Sequence, residues 1–225
     1  MLFLPEIKSE FSRLDNIFEI GAHVGMDVPP IRSVWPDANV YAFEADPHNY
    51  EACSKNLKDE ENTYLYNVAV ADRTGNIPFN RFFDVESIPH DQLAEGMNFQ
   101  NTGQGSIMEL GRGMKDIFRV TETVQQLDVE CTTLQDFCSL NDISSIDAIF
   151  MDVQGAEQNV LNGCGDMLKD TKAVVFEWST NYVLYEGETD FKDIKEFLIS
   201  LGFYEQSREY QLAGISGDSL FLKKQ

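Results

Sequence analysis

The stretch Asn16-Ile17-Phe18-Glu19-Ile20-Gly21-Ala22-His23-Val24-Gly25-Met26-Asp27 decides the fold. A short apolar run closes on a carboxylate, a turn punctuated by two glycines follows, and a helix pattern comes next. Gly21 and Gly25 let the backbone turn sharply and approach a ligand, because no Cβ intervenes. Strand ends that feed such turns lie at the carboxyl edge of an open α/β sheet, where these folds bind ligands. The shape is that of a nucleotide-type cofactor site. The spacing is G-x-x-x-G, however, not the G-x-G-x-x-G of dinucleotide enzymes. Glycine turns between strand and helix are common in α/β proteins, so the turn alone leaves a purely structural role open.

The next strand pattern, Asn39-Val40-Tyr41-Ala42-Phe43-Glu44, again ends in an acid. An acidic side chain at the tip of the second strand, about 20 residues past a glycine turn, is placed to accept hydrogen bonds from ribose hydroxyls. Its alternative role is to cap the helix that Pro47 opens. Two later segments repeat the form: Ile146-Asp147-Ala148-Ile149-Phe150-Met151-Asp152 and Ala173-Val174-Val175-Phe176-Glu177-Trp178. Their nearly continuous apolar character suits buried parallel strands. If the four strands are parallel, Glu19, Glu44, Asp152 and Glu177 gather at one edge. Such a cluster is costly unless something cationic or hydroxyl-rich sits there.

The rest of the chain alternates helix and strand patterns. Ile7, Phe11 and Leu14 give a leading helix one apolar face. Pro29 and Pro30 suit a helix start, and Pro36 stops that helix. Tyr64, Tyr66, Val68 and Val70 alternate with period two and predict one strand over 63–70. Ile77-Pro78-Phe79 reads as a short edge strand. Residues 80–126 carry Gly96, Gly103, Gly105, Gly111 and Gly113 without a sustained period. They predict a functional insertion or lid, since a structureless loop that long is uncommon in a compact domain. Thr133 with Asp136 three residues on forms a helix cap. Phe191, Ile194, Phe197, Leu198 and Leu201 make an amphipathic helix, and 218–223 predicts a last, antiparallel strand. The whole reads as one α/β domain over 1–225, a doubly wound and mostly parallel sheet.

Of 225 residues, 17 are basic and 38 acidic, giving a net charge of −21. That balance argues against a general nucleic-acid binder, which needs basic surface to meet phosphates, and against an anionic membrane surface. Met1–Glu6 has no basic n-region or long apolar core, and no run approaches the ~18 apolar residues of a membrane span. Cys53, Cys131, Cys138 and Cys164 form no C-x-x-C pair and read as reduced, packed thiols of a cytoplasmic protein.

Three ordered blocks resemble the FkbM family of methyltransferases, within the class I S-adenosylmethionine-dependent superfamily. They are Phe43-Glu44-Ala45-Asp46-Pro47, Asn67-Val68-Ala69-Val70-Ala71-Asp72-Arg73-Thr74-Gly75, and Met151-Asp152-Val153-Gln154-Gly155-Ala156-Glu157. The opening stretch is similar to the first motif of that superfamily. The resemblance covers about residues 16–180. Glu19 stands where the family more often has aspartate, His23 where it often has asparagine, and Gln154 where it usually has glutamate.

The resemblance implies a Rossmann-like, seven-stranded sheet and S-adenosylmethionine as cofactor. Glu19, Gly21, Ala22 and Gly25 would lie about the methionine half. Glu44, with Ala45 beside it, would take the ribose hydroxyls, and Val68 and Ala69 would flank adenine. The implied reaction is methyl transfer to a hydroxyl of a small polar acceptor such as a sugar. Such a displacement requires alignment and a group that accepts a proton. Asp152 is the candidate base or substrate orienter, with a contact to the cofactor's amino group as its alternative. Glu177 would join it, and His23 is a second candidate. Glu157, in a first helical turn, is favourable there for structural reasons alone. No metal ligands are assigned, and Gly105-Ser106-Ile107 lacks the nucleophile elbow of a serine hydrolase. An NAD-dependent oxidoreductase and a non-catalytic cofactor-binding module remain the alternatives.

Overall fold

The structure, a computed structural model, describes residues 3–82, 105–117, 123–179, 184–211 and 214–224. In chain order the elements are α1 (Leu4–Glu10), β1 (Asn16–Ile20), α2 (Val28–Val34), β2 (Asn39–Phe43), α3 (Pro47–Asn56), β3 (Thr63–Tyr66), β4 (Ala69–Val70) and β5 (Gly75–Phe82). There follow β6 (Glu109–Leu110), α4 (Arg112–Ile117), β7 (Thr123–Thr132), α5 (Leu134–Leu140), β8 (Ala148–Met151) and α6 (Glu157–Gly163). After a 3₁₀ turn come β9 (Ala173–Ser179), β10 (Tyr185–Glu186), α7 (Phe191–Ser200), β11 (Phe203–Arg208) and β12 (Ser216–Lys223).

The main sheet has seven strands in the order β11-β12-β9-β8-β1-β2-β3. Strands β3, β2, β1, β8 and β9 are mutually parallel, and β12 runs antiparallel to both its neighbours. Side chains alternate across β1 as pleating requires. Phe18 and Ile20 join a core with Phe137, Val160, Leu161, Ile194 and Leu198, so α5, α6 and α7 cover that face. Ile17 joins Ile7, Val28, Ile31 and Cys53, so α1, α2 and α3 cover the other. The doubly wound, mostly parallel sheet with an antiparallel last strand is therefore present.

Local chemistry explains the helix starts. Asp46 accepts from the His48 N–H at 2.8 Å and caps α3. Thr133 caps α5 through the Asp136 N–H at 2.9 Å, as its sequence suggests. Phe137 of α5 packs edge-on against Phe43 and Tyr66, with ring centroids 4.8 Å apart in each case. Aromatic pairs of this kind add about 0.5–1.5 kcal/mol each beyond their burial, so α5 is fixed tightly over the ends of β2 and β3.

One strand departs from expectation. The pattern over 63–70 is continuous, but the chain leaves the main sheet after Tyr66. The Asn67 side-chain amide donates to the carbonyls of Glu44 (2.8 Å) and Ala45 (3.1 Å), turning the backbone. β4 then pairs with β7 in a second sheet of order β4-β7-β5. β5 is longer than the predicted edge strand and, among the described strands, pairs with β7 alone, which leaves an edge where Pro78 is tolerated. β7 begins inside the stretch read as an insertion. Arg81 on β5 forms a paired contact with Asp46, tying the small sheet to the turn after β2. From 105–117, Ser106 bridges to Asn80 and β6 pairs with β10. The remainder of the expected lid, with His90, lies outside the described residues.

The four cysteines are buried free thiols. Among the described residues no helix is long and apolar enough to cross a membrane.

Candidate active site

The carboxyl ends of β1, β2 and β8 meet at one edge. The amides of Gly21 and Ala22 both donate to the Phe43 carbonyl at 2.9 Å, binding the first turn to the end of β2. Gly21 has φ +83°, and a Cβ there would lie 2.1 Å from the Asp152 carbonyl oxygen. Only glycine satisfies both constraints. The Asp152 amide in turn donates to the Ile20 carbonyl at 3.0 Å. The turn after β1 and the loop after β8 thus pack backbone against backbone.

An open cleft lies over this junction. Gly21, His23, Glu44, Ala45, Val68, Ala69 and Asp152 line it, all of them singled out in the sequence. Asn49, Phe79, Ser106 and Ile107 line it as well. The Glu44 carboxylate accepts the His23 N–H at 2.7 Å on one oxygen and the Asp46 N–H at 2.8 Å on the other. The Asn49 side chain donates to the same carboxylate, which leaves it one further lone pair. Asp46, not Glu44, caps α3. Burial pushes the Glu44 carboxyl up to about 7. Burial also lowers the His23 imidazole, which carries φ +50° on its backbone.

Glu19, Ala22 and Gly25 do not line the cleft. Gly25 abuts Leu57 and Cys53. Glu19 is the penultimate residue of β1, buried beneath the turn, with one carboxylate oxygen lacking a hydrogen-bond partner. Burial, with Asp27 and Asp152 nearby, raises its carboxyl well above the usual range.

Asp152 and Glu177 are brought together, although Glu177 lies within β9 and not at its tip. The two carboxyls share a hydrogen bond; loss of hydration, with Asp152 and Glu157 close by, raises the half-buried Glu177 carboxyl, while Asp152 is exposed. Gln154, with φ +53°, sits across them. Its amide N–H₂ donates to Asp152 and, at 3.0 Å, to Glu177, while its carbonyl accepts from the Tyr185 hydroxyl at 2.6 Å. A glutamate could not donate in this way without itself being protonated. Glu157, at the start of α6, accepts the amides of Val153 and Gly155 at 3.3 Å each, and burial pushes it up to about 8.

The loop from Asp152 to Glu157 is a partition. Asp152, Val153 and Ala156 line the cleft, whereas Gln154, Gly155, Glu157 and Glu177 line a second, open pocket. Among the described residues no three His, Cys, Asp or Glu side chains are grouped to hold a metal ion.

Residues 19–210 match the family described as the methyltransferase FkbM domain. The chain belongs to the FkbM methyltransferase family. It is 30% identical over 204 residues to a 2-O-methyltransferase, NoeI, of Sinorhizobium fredii (strain NBRC 101917 / NGR234), covering 91% of this chain and 77% of that protein. Among solved structures, a putative O-methyltransferase from Klebsiella pneumoniae is similar at 14% identity and TM-score 0.49, over 99% of this chain and 79% of that one. Aeropyrum pernix fibrillarin with natively bound S-adenosyl-L-methionine is similar at 11% identity and TM-score 0.48, over 92% and 66%.

This FkbM-family chain is a methyltransferase, and its cofactor is S-adenosylmethionine. The residues present fit that ligand. Gly21, packed against the Asp152 backbone, keeps the first turn close at the edge of the cleft. Glu44 and Asp152 line the cleft, and none of its described lining residues is lysine or arginine, which suits a ligand bearing ammonium and sulfonium groups. Sequence inspection did not find Asn49, Phe79 or Tyr185, since no motif marks them. Ser106 sits in a stretch that matches the family only loosely. Its hydroxyl donates to the Gln154 carbonyl at 2.7 Å, securing the partition loop.

Proposed function

We propose that this methyltransferase acts on a hydroxyl of a small polar acceptor, a sugar being the class we favour. The observation that carries this reading is the hydrogen-bonded Asp152–Glu177 pair between the cofactor cleft and a second cavity. A hydroxyl is a weak nucleophile until a base takes its proton, a contribution of about 10²–10⁴-fold. Bound in the cleft, S-adenosylmethionine supplies an electrophilic methyl group on a positively charged sulfur. Asp152 accepts the proton that the acceptor hydroxyl loses, and Glu177 and Gln154 hold its carboxylate in place. His23 is the second candidate base. Glu44 accepts from the ribose with its remaining lone pair, Ala45, Val68 and Ala69 flank adenine, and Gly21, in the turn that Ala22, Gly25 and Glu19 support from behind, takes the methionine half.

The name of the relative in Sinorhizobium fredii supports oxygen as the methylated atom. The net charge of −21 supports a small molecule over a nucleic acid. Buried, unpaired thiols support a cytoplasmic location. We read the chain as one methyltransferase domain, with 80–126 as its insertion.

The test is transfer of labelled methyl from S-adenosylmethionine to a panel of hydroxylated small molecules, by wild type and Asp152→Asn. Label in an alkali-stable ether, reduced at least 100-fold in the variant while S-adenosylhomocysteine still binds, is the expected outcome. Unaltered transfer by Asp152→Asn would remove Asp152 from the role of base. Binding of NAD in place of S-adenosylhomocysteine would refute the cofactor roles given to the cleft.

A further inference from the structure

The loop between the cleft and the second pocket holds a strained residue. Gln154 has φ +53° and Gly155 φ +94°, and the Ala156 N–H donates to the Val153 carbonyl at 3.4 Å. Positive φ at both central residues is the pattern of a type I′ turn, which favours Gly, Asn and Asp. Glutamine has neither glycine's freedom nor their short side chains, so its left-handed backbone persists only because its neighbours determine it. One such neighbour is Ser106, which is 1% exposed. Its hydroxyl accepts the Met108 N–H at 3.0 Å and donates to the Gln154 carbonyl at 2.7 Å. Ser106 is itself fixed. Its amide and carbonyl exchange hydrogen bonds with Asn80 of β5 at 3.0 and 2.7 Å. The buried Asn80 side chain donates to the Met108 carbonyl at 2.9 Å and accepts from Gln126 of β7 at 3.0 Å. At the other end, the Gln154 side-chain amide reaches Asp152, Glu177 and the Tyr185 hydroxyl. A continuous path therefore runs from β5 through Asn80 and Ser106 to the amide that bridges the two carboxyls.

We propose that Ser106 is a positioning residue for methyl transfer: by holding the Gln154 peptide in its left-handed turn, its hydroxyl keeps the Gln154 amide on the Asp152 and Glu177 carboxyls. The proposal rests on the reading of Asp152 as the base. Without the Ser106 proton the Gln154 peptide is no longer held in the left-handed region, and a rotation there carries the side chain away from both carboxyls. Asp152 then loses a donor that favours its ionised form. It also loses the fixed orientation that accepting a proton requires. Ser106 acts through Gln154 and takes no part in the proton transfer itself.

Carbon-13 NMR of the side-chain carboxyls and nitrogen-15 NMR of the glutamine amides test this on the full chain loaded with S-adenosylhomocysteine. Glu19, Asp27, Glu157, Glu177 and Asp218 share the surroundings of Asp152, so the quantity read is the change at the Asp152 carboxyl between variants. In Ser106→Ala its titration midpoint should rise by about 0.5 or more on the pH scale, the scale of one hydrogen bond. The Gln154 amide protons should exchange faster with water. Ser106→Cys, which keeps a weak donor, should show the same changes at smaller size. Both variants should retain S-adenosylhomocysteine affinity. The maximal rate of transfer to the acceptor that the wild type methylates should fall about three- to tenfold in Ser106→Ala, with KM for S-adenosylmethionine unchanged. Thr171→Val is the control. It removes a buried hydroxyl that bonds the Met167 carbonyl at 3.0 Å, at the opposite end of β9 from Glu177, so stability should fall and the Asp152 midpoint should not move. In a Gln154→Ala background Ser106→Ala should shift Asp152 no further. An unmoved midpoint in Ser106→Ala, a full shift in the Gln154→Ala background or an equal shift in Thr171→Val would overturn the proposal. Unaltered transfer by Asp152→Asn, with the Asp152 midpoint still governed by Ser106, would instead refute Asp152 as the base and leave the positioning of the pair by Ser106 standing.

Discussion

Gly21→Ala tests the joint on which the site is built. The substitution adds one methyl group at φ +83°, where an L side chain costs roughly 1–2 kcal/mol. The larger effect is steric. The new Cβ would stand 2.1 Å from the Asp152 carbonyl oxygen and 3.0 Å from its carbon. Neither is the end of a flexible side chain, because the Asp152 backbone is held by its amide bond to Ile20 at 3.0 Å. Relief requires one backbone to retreat by an ångström or more, at the 1–3 kcal/mol typical of overpacking or above. The sum is about 2–5 kcal/mol of lost stability, read as a lower midpoint in urea at unchanged slope. The same displacement moves Asp152 away from the cofactor cleft. Variant protein that remains folded at low temperature should therefore bind S-adenosylhomocysteine at least tenfold more weakly by calorimetry. A loss below 1 kcal/mol with wild-type cofactor affinity would refute the claim that the turn after β1 and the loop after β8 form one backbone-packed unit.

Other outcomes follow from the same geometry. Burial raises Glu44 to about 7 and Glu157 to about 8, so the folded chain holds protons that the unfolded chain has released. Stability of the ligand-free protein should then fall as pH rises through these values, by on the order of 3 kcal/mol between about pH 6 and 8. Urea midpoints across that window check it, and a flat or rising profile contradicts it. Glu44→Gln keeps the fold but loses the charged acceptor, and calorimetry should show S-adenosylhomocysteine binding weakened about tenfold or more. Phe137→Ala removes the ring that meets Phe43 and Tyr66 edge-on and should cost about 3–5 kcal/mol by chemical denaturation, with residual native protein still binding cofactor.

The helices and the parallel strands were legible because local rules and tertiary demands agree in them. Pro47 and Asp46, Thr133 and Asp136, and the alternation across β1 each act within a few residues. The break at Asn67 was not legible. The period-two pattern runs on through Val68 and Val70 because both sheets bury the same face, and only a side-chain bond to Glu44 and Ala45 shows the turn. The acidic edge was legible as a set, since strand ends in a parallel sheet converge by topology. What each acid does was not. Glu19 is buried beneath the turn, Glu44 faces the cleft, and Asp152 and Glu177 share a hydrogen bond. Those distinctions depend on a few ångströms of depth, which no spacing encodes.

The family blocks, far apart in sequence, can now be given a common physical cause. Phe43 supplies the carbonyl that receives Gly21 and Ala22, Asn67 ties its own block to Glu44 and Ala45, and the Asp152 carbonyl occupies the space that Gly21 leaves open. Each block closes a contact that another block begins. Gln154 then extends this assembly across the partition, because its amide orders the two carboxyls while its carbonyl holds Tyr185. Residues that would bind the cofactor and residues that would bind the acceptor therefore share one backbone loop. A shift on either side changes the distance between them, which is the quantity that an in-line transfer depends on most steeply.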